Sequence, residues 1–374
     1  MSWQPKRLDQ LGSVSRGRSR HRPRDAAHLY GGPHPFIQTG DVKHAGLYVT
    51  DFTQTYSDAG LEQSKLWPAG TLCITIAANI ADTAILGIDA CFPDSVIGFI
   101  ADPQQADTRF VKYLFDATIK RRAQQFSQGA TQDNLSQEKL LSLEFAVPRV
   151  DEQTRIADIL SAYDDLIENN RRRMALLDES ARLLCQEWFV RLRFPGHEHT
   201  QILDGVPDGW ELKTLGECIT LNYGKALKAE DRVEGDYPVY GSSGIVGSHE
   251  KALVQGPGII LGRKGNVGSV YWSSKSFFPI DTVYFISAES SNLYLYYALR
   301  NMHFISTDVA VPGLNRDFAY SRPLLLPPLP LLTAFLDYVT PIRLQIDKLG
   351  KLSDKLRAAR DLLLPRLMTG ELLA

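Results

Sequence analysis

"LVQGPGIILGRKGNVGSVYW" (residues 253–272) and "LWPAGTLCITIAANIADTAIL" (66–86) are two versions of one pattern. In each, proline and glycine introduce an apolar β-branched run, a short turn interrupts it, and a second apolar run follows. Runs of this kind between Gly, Pro and Asn read as short strands. The pairing extends outward in both directions, and in one order. "WQPKRLDQLG" (3–12) answers "WELKTLG" (210–216), and "HPFIQTGDV" (34–42) answers "DYPVYGSSGIVG" (236–247). "CFPDSVIGF" (91–99) matches "FFPIDTVYF" (277–285), and "RFVKYLFDATI" (109–119) matches "LYLYYALRNM" (293–302). "NLSQEKLLSLEFAVPRVDEQTRIADIL" (134–160) parallels "GLNRDFAYSRPLLLPPLPLLTAFLDYV" (313–339). A period of about 180–200 residues is the size of a domain, not of a solenoid repeat.

Each copy has two parts. The first reads as a mixed α/β globule. The second is one long helix whose apolar positions step by four and three: Ile156, Leu160, Tyr163, Ile167, Asn170, Met174, Leu177, Ala181, Leu184 and Trp188. The second copy repeats the spacing from Leu332 and Phe335 through Ser353 and Arg360 to Leu363. This is a heptad seam, and a single seam Asn such as Asn170 can fix register at some cost in stability. Two amphipathic core helices in separate domains are the alternative. The narrow seams and the charged outer faces ("ENNRRRM", "DKLRAAR") favour an antiparallel coiled coil instead. "RFPGH" (193–197) is expected to end the first helix, and Pro365 with Gly370 the second. The expected fold class is α/β (α+β), with a pseudo-twofold internal repeat. A first globule covers 1–149 and a first spacer helix 150–195; a second globule covers 196–327 and a second helix 328–374. From Leu160 to Trp188 such a helix rises about 42 Å, the length of about a dozen base pairs at ~3.4 Å each.

Composition sets bounds on function. The chain has 374 residues, 44% hydrophobic and 22% charged, with net charge −2, so a nucleic-acid site has to be local. Cys73, Cys91, Cys185 and Cys218 form no CxxC pair and are expected as reduced thiols in a cytoplasmic protein. No secretory signal opens the chain, and its most apolar stretch is broken by prolines, so no membrane span is expected. Catalytic patterns are missing. In "GRKGN" no Ser or Thr follows Lys264, as a P-loop demands, and the loop runs into a strand where a dinucleotide fold needs a helix. "VPDGWELK" crowds its acids and lysine too closely to converge on a metal from separate strands. The sole Pro-Pro, in "LPPL", lacks the aromatic of a methyltransferase loop, and His197 and His199 lack a third ligand. No catalytic or metal site is expected.

What remains is binding chemistry at matching places. In the first copy "SRGRSRHRPR" (15–24) carries Arg16, Arg18, Arg20, Arg22 and Arg24 without an acid; a solvated flexible tail is the rival reading. In the second, "NYGKALK" carries Lys225 and Lys228. Both continue into small polar turns, with Gln38, Thr39 and Asp41 in one and Tyr240, Ser242 and Ser243 in the other. Asn79 and Asp82 correspond to the Arg263, Lys264 and Asn266 loop, and Asn134 and Gln137 to Asn315 and Arg316. Such groups donate to phosphate or read base edges, Arg on guanine and Asn on adenine. Turn capping is the competing role for each.

"YPVYGSSGIVG" (237–247), "PGIILGRKGNVGSV" (257–270), "VPRVDEQTRIADIL" (147–160), "LLCQEWFVRLRFPG" (183–196) and "DLLLPRLMTGEL" (361–372), set in this duplicated plan, carry a resemblance. The chain resembles the DNA specificity subunit of type I restriction–modification systems over nearly its whole length. The resemblance implies two target-recognition domains, each reading half of a bipartite double-stranded DNA site. It implies helices that set the spacing and dock two adenine-N6 methyltransferase subunits. S-adenosylmethionine, ATP and Mg would belong to those partners and to a separate motor/nuclease subunit, with no cofactor on this chain. The first copy departs from the pattern, since "ITIAANIADTAIL" lacks the basic glycine loop. A protein-binding coiled-coil scaffold with two globular heads is the alternative function, and leaves the paired loops without a purpose.

Overall fold

The computed structural model describes residues 3–77, 81–120, 136–305 and 313–372. The chain divides within its long helices: one unit comprises 1–171 with 351–374, the other 172–350. The fold class is mixed α/β.

In the first unit, β1 (Gly12–Arg16), β2 (Tyr48–Val49), β3 (Leu72–Thr75), β4 (Thr83–Leu86) and β5 (Val96–Ala101) form a sheet in the order β1-β5-β3-β4-β2. All pairs are antiparallel except β2 with β4. β3 and β4 are buried throughout, which explains why they read as continuous apolar runs rather than alternating ones. Strand Tyr30–Phe36 pairs antiparallel with Gln54–Tyr56 and parallel with Ala90–Cys91. Strand Gln4–Arg7 pairs with Glu144–Val147.

In the second unit, β6 (Asn222–Tyr223), β7 (Gly258–Gly262), β8 (Val270–Ser273) and β9 (Val283–Ile286) form an antiparallel sheet in the order β6-β9-β7-β8. Strand Tyr237–Gly241 pairs antiparallel with Gly244–His249 and parallel with Phe278–Pro279. Strand Glu211–Thr214 pairs with Pro323–Leu326.

Five helices matter below: α1 (Thr108–Phe115), α2 (Val150–Cys185), α3 (Leu293–Asn301), α4 (Arg316–Tyr320) and α5 (Leu329–Met368). Every position of the four-and-three spacing in α2, its π-helical extension Gln186–Val190 and α5 is buried or half-buried. Within the first unit, Asn170 Nδ2 donates to Ser353 Oγ at 3.3 Å, both residues being buried. Each helix contributes to a unit's core. Ile156, Leu160, Leu367 and Met368 pack with Leu8, Phe110 and Phe99 in the first. Ala181, Trp188, Phe335 and Val339 pack with Tyr294 and Tyr297 in the second.

Pro365 does not stop α5, contrary to the sequence expectation: the helix continues to Met368, and Gly370 (φ +72°) turns the chain. An interior proline removes one hydrogen bond. Here Leu363, Leu364, Leu367 and Met368 on either side are anchored in the first unit's core, and that burial outweighs the loss. All four cysteines are free thiols, with Cys73 completely buried. Among the described residues no helix is long and apolar enough to cross a membrane.

Candidate nucleic-acid interface

The glycine loop joining β7 to β8 folds onto itself. Gly262 N–H donates to Ser269 O at 2.7 Å and Gly268 N–H to Gly262 O at 2.9 Å. A Cβ on Gly262 would lie 2.2 Å from both Asn266 O and Ser269 Oγ, so only glycine permits this closure. The amides of Arg263 and Lys264 both donate to Thr282 O, at 2.9 and 3.0 Å. Gly262 and Gly268 therefore serve the loop's own closure, and the loop presents its side chains outward.

Those side chains converge. The Arg263 guanidinium carbon lies 5.0 Å from the centroid of the Tyr223 ring and 5.7 Å from that of Tyr284, and its Nη1 donates to Asp281 O at 3.1 Å. Arg316, in the first turn of α4, lies 5.3 Å from the same Tyr223 ring and 5.8 Å from Tyr320. Tyr223, exposed on the edge strand β6, thus carries two guanidinium groups within cation–π range. Tyr284 forms the buried floor. Burial, with the neighbouring Tyr223 hydroxyl, pushes its phenol up to about 12, and it donates to Leu314 O at 3.0 Å. The cleft so formed has a volume of about 220 Å³. Arg263, Lys264 and Arg316 line it against one carboxylate, Asp317. A chain of net charge −2 here makes a local cationic surface.

The other expected residues of this unit divide. Asn315 Oδ1 caps α4, accepting from Asp317 N at 2.8 Å and Phe318 N at 3.1 Å, so bidentate pairing with adenine would break the cap. Lys225 and Ser243 are exposed, and Asn266 is exposed on the loop. Lys228 pairs with Glu230 at 3.5 Å and sits beside Asp231, which dilutes its charge. Ser242 docks the hairpin turn to the loop: its carbonyl accepts from Ser269 Oγ at 2.6 Å and Tyr271 OH at 3.2 Å. Tyr240 corrects the sequence reading. Its ring is buried with Val254 and Phe277, and that burial raises its phenol, so it supports the sheet and cannot face DNA.

In the first unit the arginine segment is no loose tail. Arg16 closes β1, exposed; Gln63 Oε1 accepts from Arg20 N and His21 N, at 2.6 and 3.0 Å, and Ser64 Oγ donates to Arg18 O at 2.7 Å. Arg22 is exposed but folds back on its own loop, its Nη1 donating to Ser19 O and His21 O at 2.8 Å each, and Arg24 pairs with Asp94 at 2.8 Å. Arg22 is therefore a staple of the loop as much as a cation facing outward. Arg16 and Arg20 are exposed, and Arg18 is half-buried. Gln38 donates from Nε2 to Gln54 Oε1 at 2.6 Å, and its amide donates to Asp41 Oδ2 at 2.8 Å, just ahead of the half-buried Thr39. Gln137 opens a short helix capped by Ser136. Asn79 and Asn134 lie outside the described residues. A second cleft, about 160 Å³, is lined by Lys43, Lys112 and Arg360 against Asp82, Asp116 and Asp164. Equal numbers of each sign leave it without attraction for a polyanion.

The sequence reading missed Tyr223 and Tyr284. A Tyr before Gly in "NYGKALK" was the available signal, but its partners are far away in sequence.

A family model described as "Type I restriction modification DNA specificity domain" matches residues 1–178 and 207–337. The chain is similar to the Type I restriction enzyme MjaIX specificity subunit of Methanocaldococcus jannaschii, 23% identical over 406 residues, covering 99% of this chain and 93% of that protein. It is also similar to the Type I restriction enzyme EcoprrI specificity subunit of Escherichia coli, 21% identical, covering 76% of this chain and 68% of that one. The fold resembles the crystal structure of a Type-I restriction-modification system S subunit from M. genitalium, with a TM-score of 0.56 at 18% identity, covering 98% and 96% of the two chains.

Proposed function

The chain belongs to the type I restriction modification DNA specificity family, and from that premise we propose that each of its two units reads one half of a bipartite double-stranded DNA site. It is the DNA-recognition subunit of a restriction–modification complex and not a catalyst in its own right. The observation that carries the reading is the cleft of Tyr223, Arg263, Lys264 and Arg316, whose charge runs against the balance of the whole chain. The scaffold alternative gives this cleft no role.

The internal duplication is supported by strand order. β1-β5-β3-β4 and β6-β9-β7-β8 follow one connectivity, and each unit adds a strand paired antiparallel with one neighbour and parallel with another. Two readers of one design with different surfaces suit two unlike half-sites. The long helices act as an antiparallel coiled coil that fixes the gap between half-sites and docks two adenine-N6 methyltransferase subunits. The buried Asn170–Ser353 hydrogen bond, replacing an apolar pair, selects one register. S-adenosylmethionine, ATP and Mg belong to the methyltransferase and motor/nuclease partners, and the assembly works in the cytoplasm.

Sequencing methylated adenines in cells with and without the gene tests the reading: a bipartite motif should appear only with it, and its absence would reject the assignment. Inserting one helical turn after Asn170 should change the tolerated gap while both half-sites stay intact. Altered half-sites with an unchanged gap would contradict the spacer role. Lys264→Ala should weaken binding to all sequences and lower the slope of log K against log salt by about one. Arg263→Ala should relax one base position at a cost of about 1–3 kcal/mol. Binding titrations over a salt series separate the two effects.

A further inference from the structure

Two glycines bring one register position of each unit to the same place. Gly224 follows Tyr223 and Gly17 follows Arg16. A Cβ on Gly224 would sit 2.0 Å from Ile280 O, and one on Gly17 2.3 Å from Pro93 O, so both backbones press against the turn that precedes the neighbouring strand. The hydrogen bonds repeat as well. Gly224 N–H donates to Val283 O at 3.2 Å and Gly17 N–H to Val96 O at 2.9 Å. The next amides follow suit, Lys225 to Pro279 O at 3.0 Å and Arg18 to Phe92 O at 3.1 Å. Tyr223 then lies opposite Tyr284, which pairs with Leu261; Arg16 lies opposite Ile97, which pairs with Ile74.

Two residues beyond Leu261 and Ile74 stand Arg263 and Ile76, whose amides donate to Thr282 O and Ser95 O at 2.9 and 3.0 Å. One scaffold therefore displays Tyr223 with Arg263 in the second unit and Arg16 with the buried Ile76 in the first. The aromatic plate is on the edge strand in one unit, the cation in the other. In the second unit the plate also holds Arg316, so two planar forks are held against one ring. A guanidinium held against a ring loses rotational freedom; Arg263 spends Nη1 on Asp281 O and keeps the rest of its donor rim. Such a fork fits the paired acceptors O6 and N7 of guanine; a phosphate takes the same fork, and loss of base discrimination without a change of salt slope tells the two apart.

We propose that Tyr223 is a positioning residue that aligns Arg263 and Arg316 for reading guanine in one half-site, and that Arg16, at the same register, is the base-contacting residue for the other. The proposal rests on the DNA-reading assignment above. It names a residue outside the glycine loop and singles out one arginine among the five of residues 15–24.

The test is sequencing of methylated adenines in cells carrying the whole chain with its partner subunits, as wild type and as Tyr223→Leu, Tyr223→Phe, Arg316→Lys, Arg16→Ala and Arg263→Ala. Tyr223→Leu is expected to make a guanine position degenerate in the half-site that Arg263→Ala also relaxes, with discrimination there falling about tenfold or more. The other half-site and the salt slope should not change. Arg316→Lys keeps charge but loses the fork, and should relax the same half-site. Tyr223→Phe, which keeps the ring, should restore the motif, and Arg16→Ala should relax only the opposite half. An intact motif in Tyr223→Leu or Arg316→Lys, or uniform weakening without relaxation, overturns the positioning role; an intact opposite half in Arg16→Ala overturns the Arg16 assignment. If Arg263→Ala still relaxes its half-site, the DNA-reading assignment survives either failure. A wild-type chain that directs no methylation would remove that assignment itself.

Discussion

Phe335→Ala is expected to destabilise the second unit by about 3–5 kcal/mol, the range for emptying a fully buried aromatic site. Phe335 has no exposed surface and is ringed by aromatics. Its centroid lies 5.9 Å from Trp188, 4.9 Å from Phe189 and 6.4 Å from Tyr294. Trp188 and Phe189 follow α2, Phe335 lies on α5 and Tyr294 on α3, so one side chain joins three segments of a single core. Truncation leaves a hole between rigid rings that cannot easily collapse into it. Leu362→Ala, on the exposed face of α5, should stay within about 0.5 kcal/mol. Denaturant titration followed by tryptophan fluorescence reads both. A Phe335→Ala midpoint close to that of Leu362→Ala would mean that this aromatic cluster does not hold the unit together.

Arg360→Ala should act comparably on the first unit. Arg360 on α5 pairs with Asp164 on α2, and Asp164 accepts from Tyr113 OH of α1 at 2.5 Å. The carboxylate side chain is 7% exposed and the guanidinium 25%. Removing the cation strands a buried carboxylate, which costs ~3–5 kcal/mol in a fully buried pair. Partial exposure of Arg360 lowers the expected loss to about 2–4 kcal/mol. Burial and the neighbouring Asp164 charge both raise the Tyr113 phenol, which therefore stays protonated and remains a hydrogen-bond donor to Asp164. The double variant Asp164→Leu with Arg360→Met should recover part of the loss, because no unpaired charge remains. Thermal melting of the single and double variants decides it: equal losses in both would show that packing, and not charge, dominates here.

Much of the framework was legible because its signals are local. Glycine and proline punctuation marked the strands, and the four-and-three spacing marked both long helices down to Ser353 and Arg360. Three features were not legible, each for a reason of register or context. Tyr223 reads as an ordinary turn neighbour until β6 is laid beside β9, which brings it over Tyr284 and between two arginines. Tyr240 precedes a Gly-Ser-Ser turn and looks polar, yet it lies in a buried run with Val239 and Gly241, where the strand pairing shifts register. The closure of the glycine loop was not legible either, because the acceptor of the Arg263 and Lys264 amides, Thr282 O, is distant in sequence. Asn315 had both roles open in the sequence; its position ahead of α4 gives it the cap.

The first unit's core is finished by residues near the far end of the chain. Leu367 and Met368 are buried against side chains as early as Leu8, and Gly370 lies within 3.5 Å of the Trp3 ring atoms if given a Cβ. A ribosome therefore releases the amino-terminal globule incomplete, and the whole central unit emerges before the missing apolar cover arrives. Domains generally mature in the order of their synthesis. Here the unit made first closes last, so its apolar face stays uncovered while residues 172–350 are being made.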